Sequence, residues 1–189
     1  FITKKTPFKS MKGALTHLFI FPNYFWINNF LVMYNGVTDL DVAWESGIKS
    51  LKLLGVDFPK NVGKGKGLKQ FLKIKWMTRG IEPESLLSRS DLECKESEQV
   101  LLILMEMIAA AWGKKPEILA FLVLKGFEII LKKGNSPIGY FGVSGYGAIL
   151  GVGFGKIEKG WEFIKLGGKL TQNYESQIFH GRGLFGVHG

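Results

Sequence analysis

In three stretches of this chain the charged residues fall on one narrow arc of a helical wheel, and that placement restricts the fold more than any other feature. At about 100° per residue, Asp41, Glu45, Lys49 and Lys52 share an arc of roughly 80° between Thr38 and Leu54. Glu117, Lys125, Glu128 and Lys132 do the same from Pro116 to Lys132. Glu158, Glu162, Lys165 and Lys169 fall within roughly 60° from Ile157 to Leu170. Asp39, Lys133 and Lys159 lie off these arcs. Most of each circumference is therefore apolar or small, and a helix that exposes only a thin strip is packed on two sides. The spacing predicts an all-α fold.

Punctuation residues agree with these spans. Thr38 followed by Asp41 reads as a capping-box-like start, and Gly55 as the residue after a helix, with Pro59 blocking continuation. Gly113 closes an apolar run from Val100 to Trp112, and Pro116 opens the next helix. At Gly134-Asn-Ser-Pro137, Gly134 can take positive φ, Ser136 can cap, and Pro137 sits where a missing N–H is harmless. Helices joined by so short a turn are expected to pack antiparallel. Small residues recur at Ala43, Gly47 and Ser50, and again at Gly160 and Gly167, where they let neighbouring helices approach closely.

Composition excludes several classes. With 46% hydrophobic residues the 189-residue chain is not a disordered one. A single cysteine, Cys94, rules out an internal disulfide framework and fits a reducing compartment, so a cytoplasmic location is expected. His17, His180 and His188 are too scattered to suggest a metal box. No cofactor motif is present: the tract from Gly63 to Gly67 lacks the Gly-Lys-Ser/Thr ending of a phosphate-cradling loop. A start at Phe1 and an end at Gly189 within an apolar-rich stretch read as the ends of a fragment.

One family resemblance is carried by several stretches together: 47–59 (GIKSLKLLGVDFP), 81–87 (IEPESLL), 102–105 (LILM), 122–125 (LVLK), 133–137 (KGNSP), 145–150 (GYGAIL) and 155–161 (GKIEKGW). In order and approximate spacing, over about two-thirds of the chain, they resemble the tetratricopeptide-like helical region of large cyanobacterial-type multi-sensor proteins. Those proteins join a serine/threonine kinase, a STAND-type AAA ATPase and a sensor histidine kinase. The resemblance implies antiparallel helix pairs stacked as a short solenoid, and a role in relaying signals. It implies none of the catalytic parts, whose motifs are absent here. On this reading residues 1–57 form an N-terminal helix pair, 58–92 a basic linker with short helical pieces, and 93–189 a helical repeat region truncated at its end.

Charge is the other feature with functional content. The net charge is +9, and from Lys60 to Gly80 there are seven cations (Lys60, Lys64, Lys66, Lys69, Lys73, Lys75 and Arg79) and no acid, with Phe71 and Trp76 interleaved. Cations alternating with aromatics suit a nucleic-acid backbone with stacked bases. The plainer reading is a solvated linker between helix pairs. Lys64, Lys66, Lys69, Lys73 and Lys75 are the candidate anion or partner patch.

Two further runs raise a membrane reading. Ala14 to Thr38 and Gly134 to Gly155 carry no formal charge and are long enough to span a bilayer. Their asparagines and prolines argue against it, and close-packed helices are expected instead. Six glycines between Gly139 and Gly153, each costing about 1 kcal/mol against alanine in a helix interior, make that helix the weakest of the set unless tight packing offsets the loss.

Catalytic candidates are few. Glu98 and Glu106 read as a solvent stripe rather than an acid/base pair. Cys94, among acids, is a poor nucleophile, and His180 near Arg182 reads as an exposed pair. The expectation is thus a non-catalytic helical scaffold. It would dock other domains of its own polypeptide or a protein partner, with a basic nucleic-acid-binding module centred on 60–79 as the alternative.

Overall fold

The structure is a computed structural model, and residues 39–59, 62–112 and 116–172 are described here. Among them there are six α-helices: α1 (Leu40–Leu53), α2 (Lys64–Met77), α3 (Lys95–Trp112), α4 (Pro116–Lys133), α5 (Tyr140–Ala148) and α6 (Ile157–Gln172). Short 3-10 turns at Pro83–Ser88 and Pro137–Gly139 and a π turn at Ile149–Gly153 complete the order. The described residues contain no strand, only one isolated bridge between Asp91 and Asn135. The expected all-helical class is the observed one.

The start of α1 shows how local chemistry sets an end. Asp39 is the N-cap, its Oδ1 accepting from the Asp41 and Val42 amides at 3.0 and 3.2 Å. Thr38, expected in that position, lies outside the described residues. Asp39 precedes the helix, which is why its charge lay off the wheel's arc. At the other end Gly55 takes φ 73°, and the Val56 amide donates to the Leu51 carbonyl while Gly55 donates to Lys52. This crossed pair satisfies carbonyls that the helix itself cannot. The loop then delivers Phe58 into the core, edge-on to Trp44 and to Phe121 at ring separations of 5.8 and 5.2 Å.

Helix α4 is the hub. It packs against α2, α3 and α5; α1 covers α3, and α6 covers α5. Neighbours in sequence pack together from α3 onward, but α1 rests on α3 and α2 on α4, each two elements on. The core runs continuously from Leu51 through Leu104, Leu122 and Phe127 to Leu166 and Leu170. At its centre Tyr146 meets Phe127 and Phe163 at ring separations of 5.2 and 5.0 Å.

The charge arcs of α1 and α6 face solvent as expected: Asp41, Glu45, Lys49, Lys52, Glu158, Glu162, Lys165 and Lys169 are all exposed. The arc of α4 does not. Glu128 is only 6% exposed, because α2 lies across it. The basic segment is correspondingly more than a solvated linker with short helical pieces. It holds the 14-residue helix α2, whose Gln70, Phe71 and Ile74 are buried.

The turn between α4 and α5 follows the expected chemistry. Gly134 has φ 116°, Ser136 Oγ accepts from the Ile138 amide at 3.3 Å, and Pro137 opens the 3-10 turn. Asn135, which no spacing marks, is the buried anchor. Its Nδ2 donates to the Leu86 carbonyl at 2.7 Å. Its backbone exchanges bonds with Ser90 and Leu92.

The uncharged run from Gly134 to Gly155 breaks into the 3-10 turn, α5, the π turn and Gly155 at φ 66°. No described helix is long and apolar enough to cross a membrane. The run from Ala14 to Thr38 lies outside the described residues. The glycines of α5 are contact points: a Cβ on Gly142 would stand 2.5 Å from the Phe127 amide nitrogen, and one on Gly160 of α6 would stand 2.6 Å from the Gly147 carbonyl oxygen. Without side chains there, backbones approach closely and the cost of helical glycine is offset by packing.

Candidate functional site

Helix α2 presents two unlike faces, and its sequence dictates both. Phe71, Ile74 and Thr78, with Gln70 beside them, recur at helical spacing and turn towards α4 and Tyr146 of α5. The Thr78 hydroxyl bonds the Ile74 carbonyl at 3.0 Å and stands 3.4 Å from the Tyr146 hydroxyl. Burial raises the pKa of Tyr146, an effect that the Thr78 hydrogen bond only partly counters.

A polar clamp joins α2 to α4. Gln70 Nε2 donates to Glu128 Oε2 at 2.7 Å, and Lys73 Nζ to Oε1 at 2.7 Å. Lys132 Nζ reaches Oε1 at 2.7 Å, and Lys125 Nζ stands 3.4 Å from Oε2. Burial pushes the Glu128 carboxyl towards protonation, but hydrogen bonds from Lys132, Lys73 and Gln70 and the charge of Lys125 together outweigh it. They hold the carboxyl well below the usual carboxylate range. A carboxylate so firmly ionised is a fastener and a poor proton donor at neutral pH.

The opposite face of α2 is open. Leu68, Leu72 and Trp76 follow at i, i+4 and i+8 and are 53%, 52% and 75% exposed. At helical spacing they span an arc of about 80°, bordered by Lys64 and Lys75 on one side and Lys69 on the other. Lys64, Lys66, Lys69 and Lys75 are exposed, as the candidate patch requires. Lys73 departs from that patch: its ammonium is committed to Glu128.

The remaining candidates are dispersed. Glu98 and Glu106 are both half-buried on α3 rather than forming an open stripe. Cys94 precedes α3, its carbonyl accepting from the Ser97 and Glu98 amides, and its Sγ is 3.3 Å from Glu96 Oε2. The three histidines and Arg182 lie outside the described residues, as does Lys60. Among the described residues no group of histidine, cysteine and carboxylate side chains could hold a metal ion. The wheel of α4 does not reveal the clamp, because it sets Glu128 only against its own helix. The available signal was the 3.6-residue spacing of Phe71, Ile74 and Thr78 within the lysine run.

No family model, curated protein or solved structure matches the chain.

Proposed function

We propose that this chain is a non-catalytic helical scaffold that docks an acidic amphipathic helix of a protein partner on the outer face of α2. The observation that carries the reading is the Leu68–Leu72–Trp76 stripe, exposed on a helix whose other face is locked to the core. An apolar stripe at i, i+4 and i+8 matches the way one amphipathic helix receives another. The bordering lysines, in a segment without acids and a chain of net charge +9, select glutamates and aspartates on the partner. Leucines at two of three positions favour a protein over single-stranded nucleic acid, whose bases need aromatic platforms.

The sequence resemblance to the helical region of multi-sensor kinase and ATPase proteins supports a signal-relay setting. There the partner would be another domain of the same polypeptide, and the pairs α3–α4 and α5–α6 would be units of a tetratricopeptide-like stack. The test is fluorescence anisotropy with a labelled helical peptide carrying leucines at i, i+3, i+4 and i+7 flanked by glutamates, against a labelled oligothymidine. The peptide is expected to bind, and Leu68→Glu together with Lys69→Glu to weaken it tenfold or more. Oligothymidine binding with a steep salt dependence, and none of the peptide, would overturn the reading in favour of a nucleic-acid module.

A further inference from the structure

Beyond the apolar stripe, the C-terminal end of α2 opens on a cavity of about 470 Å³ between that helix, the end of α5 and the start of α6. Four cations line it, Lys75 and Arg79 from the α2 side and Lys156 and Lys159 from the α6 side, and no carboxylate does. None of the four makes an ion pair with a described residue. Four exposed cations facing one hollow give it a positive potential that favours an anion. The first turn of α6, beside Lys156 and Lys159, adds the positive end of its dipole.

The other walls are of a different kind. Leu72 and Leu150 supply apolar surface, the second from the π turn, a geometry that recurs at functional positions. Trp76, 75% exposed, lines the same hollow and makes no ring contact with another described residue. Thr78 and Tyr146, both buried and with their hydroxyls 3.4 Å apart, form its inner wall. The volume falls within the range of about 300–1,000 Å³ typical of small-molecule sites.

We infer that this cavity binds a metal-free nucleoside diphosphate, its phosphates held by Lys75, Arg79, Lys156 and Lys159 and its base stacked on Trp76. Cations meet the phosphate charge, and an indole face accepts any base. The absence of a carboxylate from the lining leaves nothing to hold Mg²⁺, so the magnesium complex, with part of its charge neutralised, binds more weakly than the free nucleotide. The site shares Leu72, Lys75 and Trp76 with the docking face, whereas Leu68 and Lys69 belong to that face alone and do not line the cavity.

Isothermal titration of the full chain in EDTA with ADP, pyrophosphate and adenosine tests the inference. ADP is expected to bind tighter than either part. Lys156→Ala with Lys159→Ala should weaken ADP and pyrophosphate tenfold or more. Trp76→Ala should bring ADP down to the pyrophosphate level and leave pyrophosphate unchanged. Leu68→Glu with Lys69→Glu should leave ADP binding intact, so failure of the docking reading and failure of this one are separable. Circular dichroism confirms that each variant is folded. No ADP binding at millimolar concentration, equal binding by the double lysine variant, or pyrophosphate binding as tightly as ADP would each overturn the assignment.

Discussion

Glu128 shows what a single buried charge contributes when it is surrounded by donors. Gln70, Lys73 and Lys132 all lie within 2.7 Å of its oxygens, while Lys73 and Lys132 keep 44% and 50% of their side-chain surface in solvent. Their charges rehydrate if the carboxylate is lost, so the penalty is smaller than for a fully buried pair. Glu128→Gln is expected to lower stability by about 1–3 kcal/mol at neutral pH, read from urea unfolding. The pH dependence follows from the direction of the shift. The folded pKa lies below the unfolded value of 4.5, so the stabilisation is fully present above that value and is lost as pH falls through the folded one. The stability gap between the native chain and Glu128→Gln should therefore stay constant from pH 7 to 5 and narrow below about 4.5. A gap that widens on acidification would contradict the clamp. Nothing in the wheel of α4 distinguished Glu128 from Lys132, which is exposed, because burial here is decided by α2, some 50 residues earlier in the chain.

At the scale of elements, helix content was legible in the charge arcs, and the turn chemistry of Gly55, Gly134, Ser136 and Pro137 was legible residue by residue. The glycines were legible as a cost that close packing offsets, but not which of them meet a neighbouring backbone. Their value depends on which backbone lies opposite, which no local pattern encodes. A Cβ on Gly147 would stand 2.9 Å from the Ile164 amide nitrogen, and one on Gly160 would meet the Gly147 carbonyl, whereas one on Gly65 meets nothing within 4 Å. Gly147→Ala and Gly160→Ala are expected to destabilise by about 1–3 kcal/mol through overpacking against rigid backbone. Gly65→Ala, in the first turn of α2, should stabilise by up to about 1 kcal/mol. Thermal unfolding of the three variants checks the opposite signs. The basic stretch reads as a linker for a related reason: its lysine density masks the spacing of Phe71, Ile74 and Thr78, although both are properties of the same helix.

For the molecule as a whole, the arrangement makes α2 a working part of the fold. Its inner face completes the cover over α4 and α5, its outer face carries the stripe proposed for docking, and its C-terminal end forms one wall of the cationic cavity. All three roles require that α2 remain folded on α4 in the unbound chain. Native-state hydrogen exchange measures this directly. The amides of Phe71 to Met77 should be protected to within about tenfold of those at the centre of α4, around Leu124 to Phe127, and both should respond alike to low denaturant, as parts of one cooperative unit. Rapid exchange throughout α2 while α4 stays protected would show a loose basic tether, and would contradict the account.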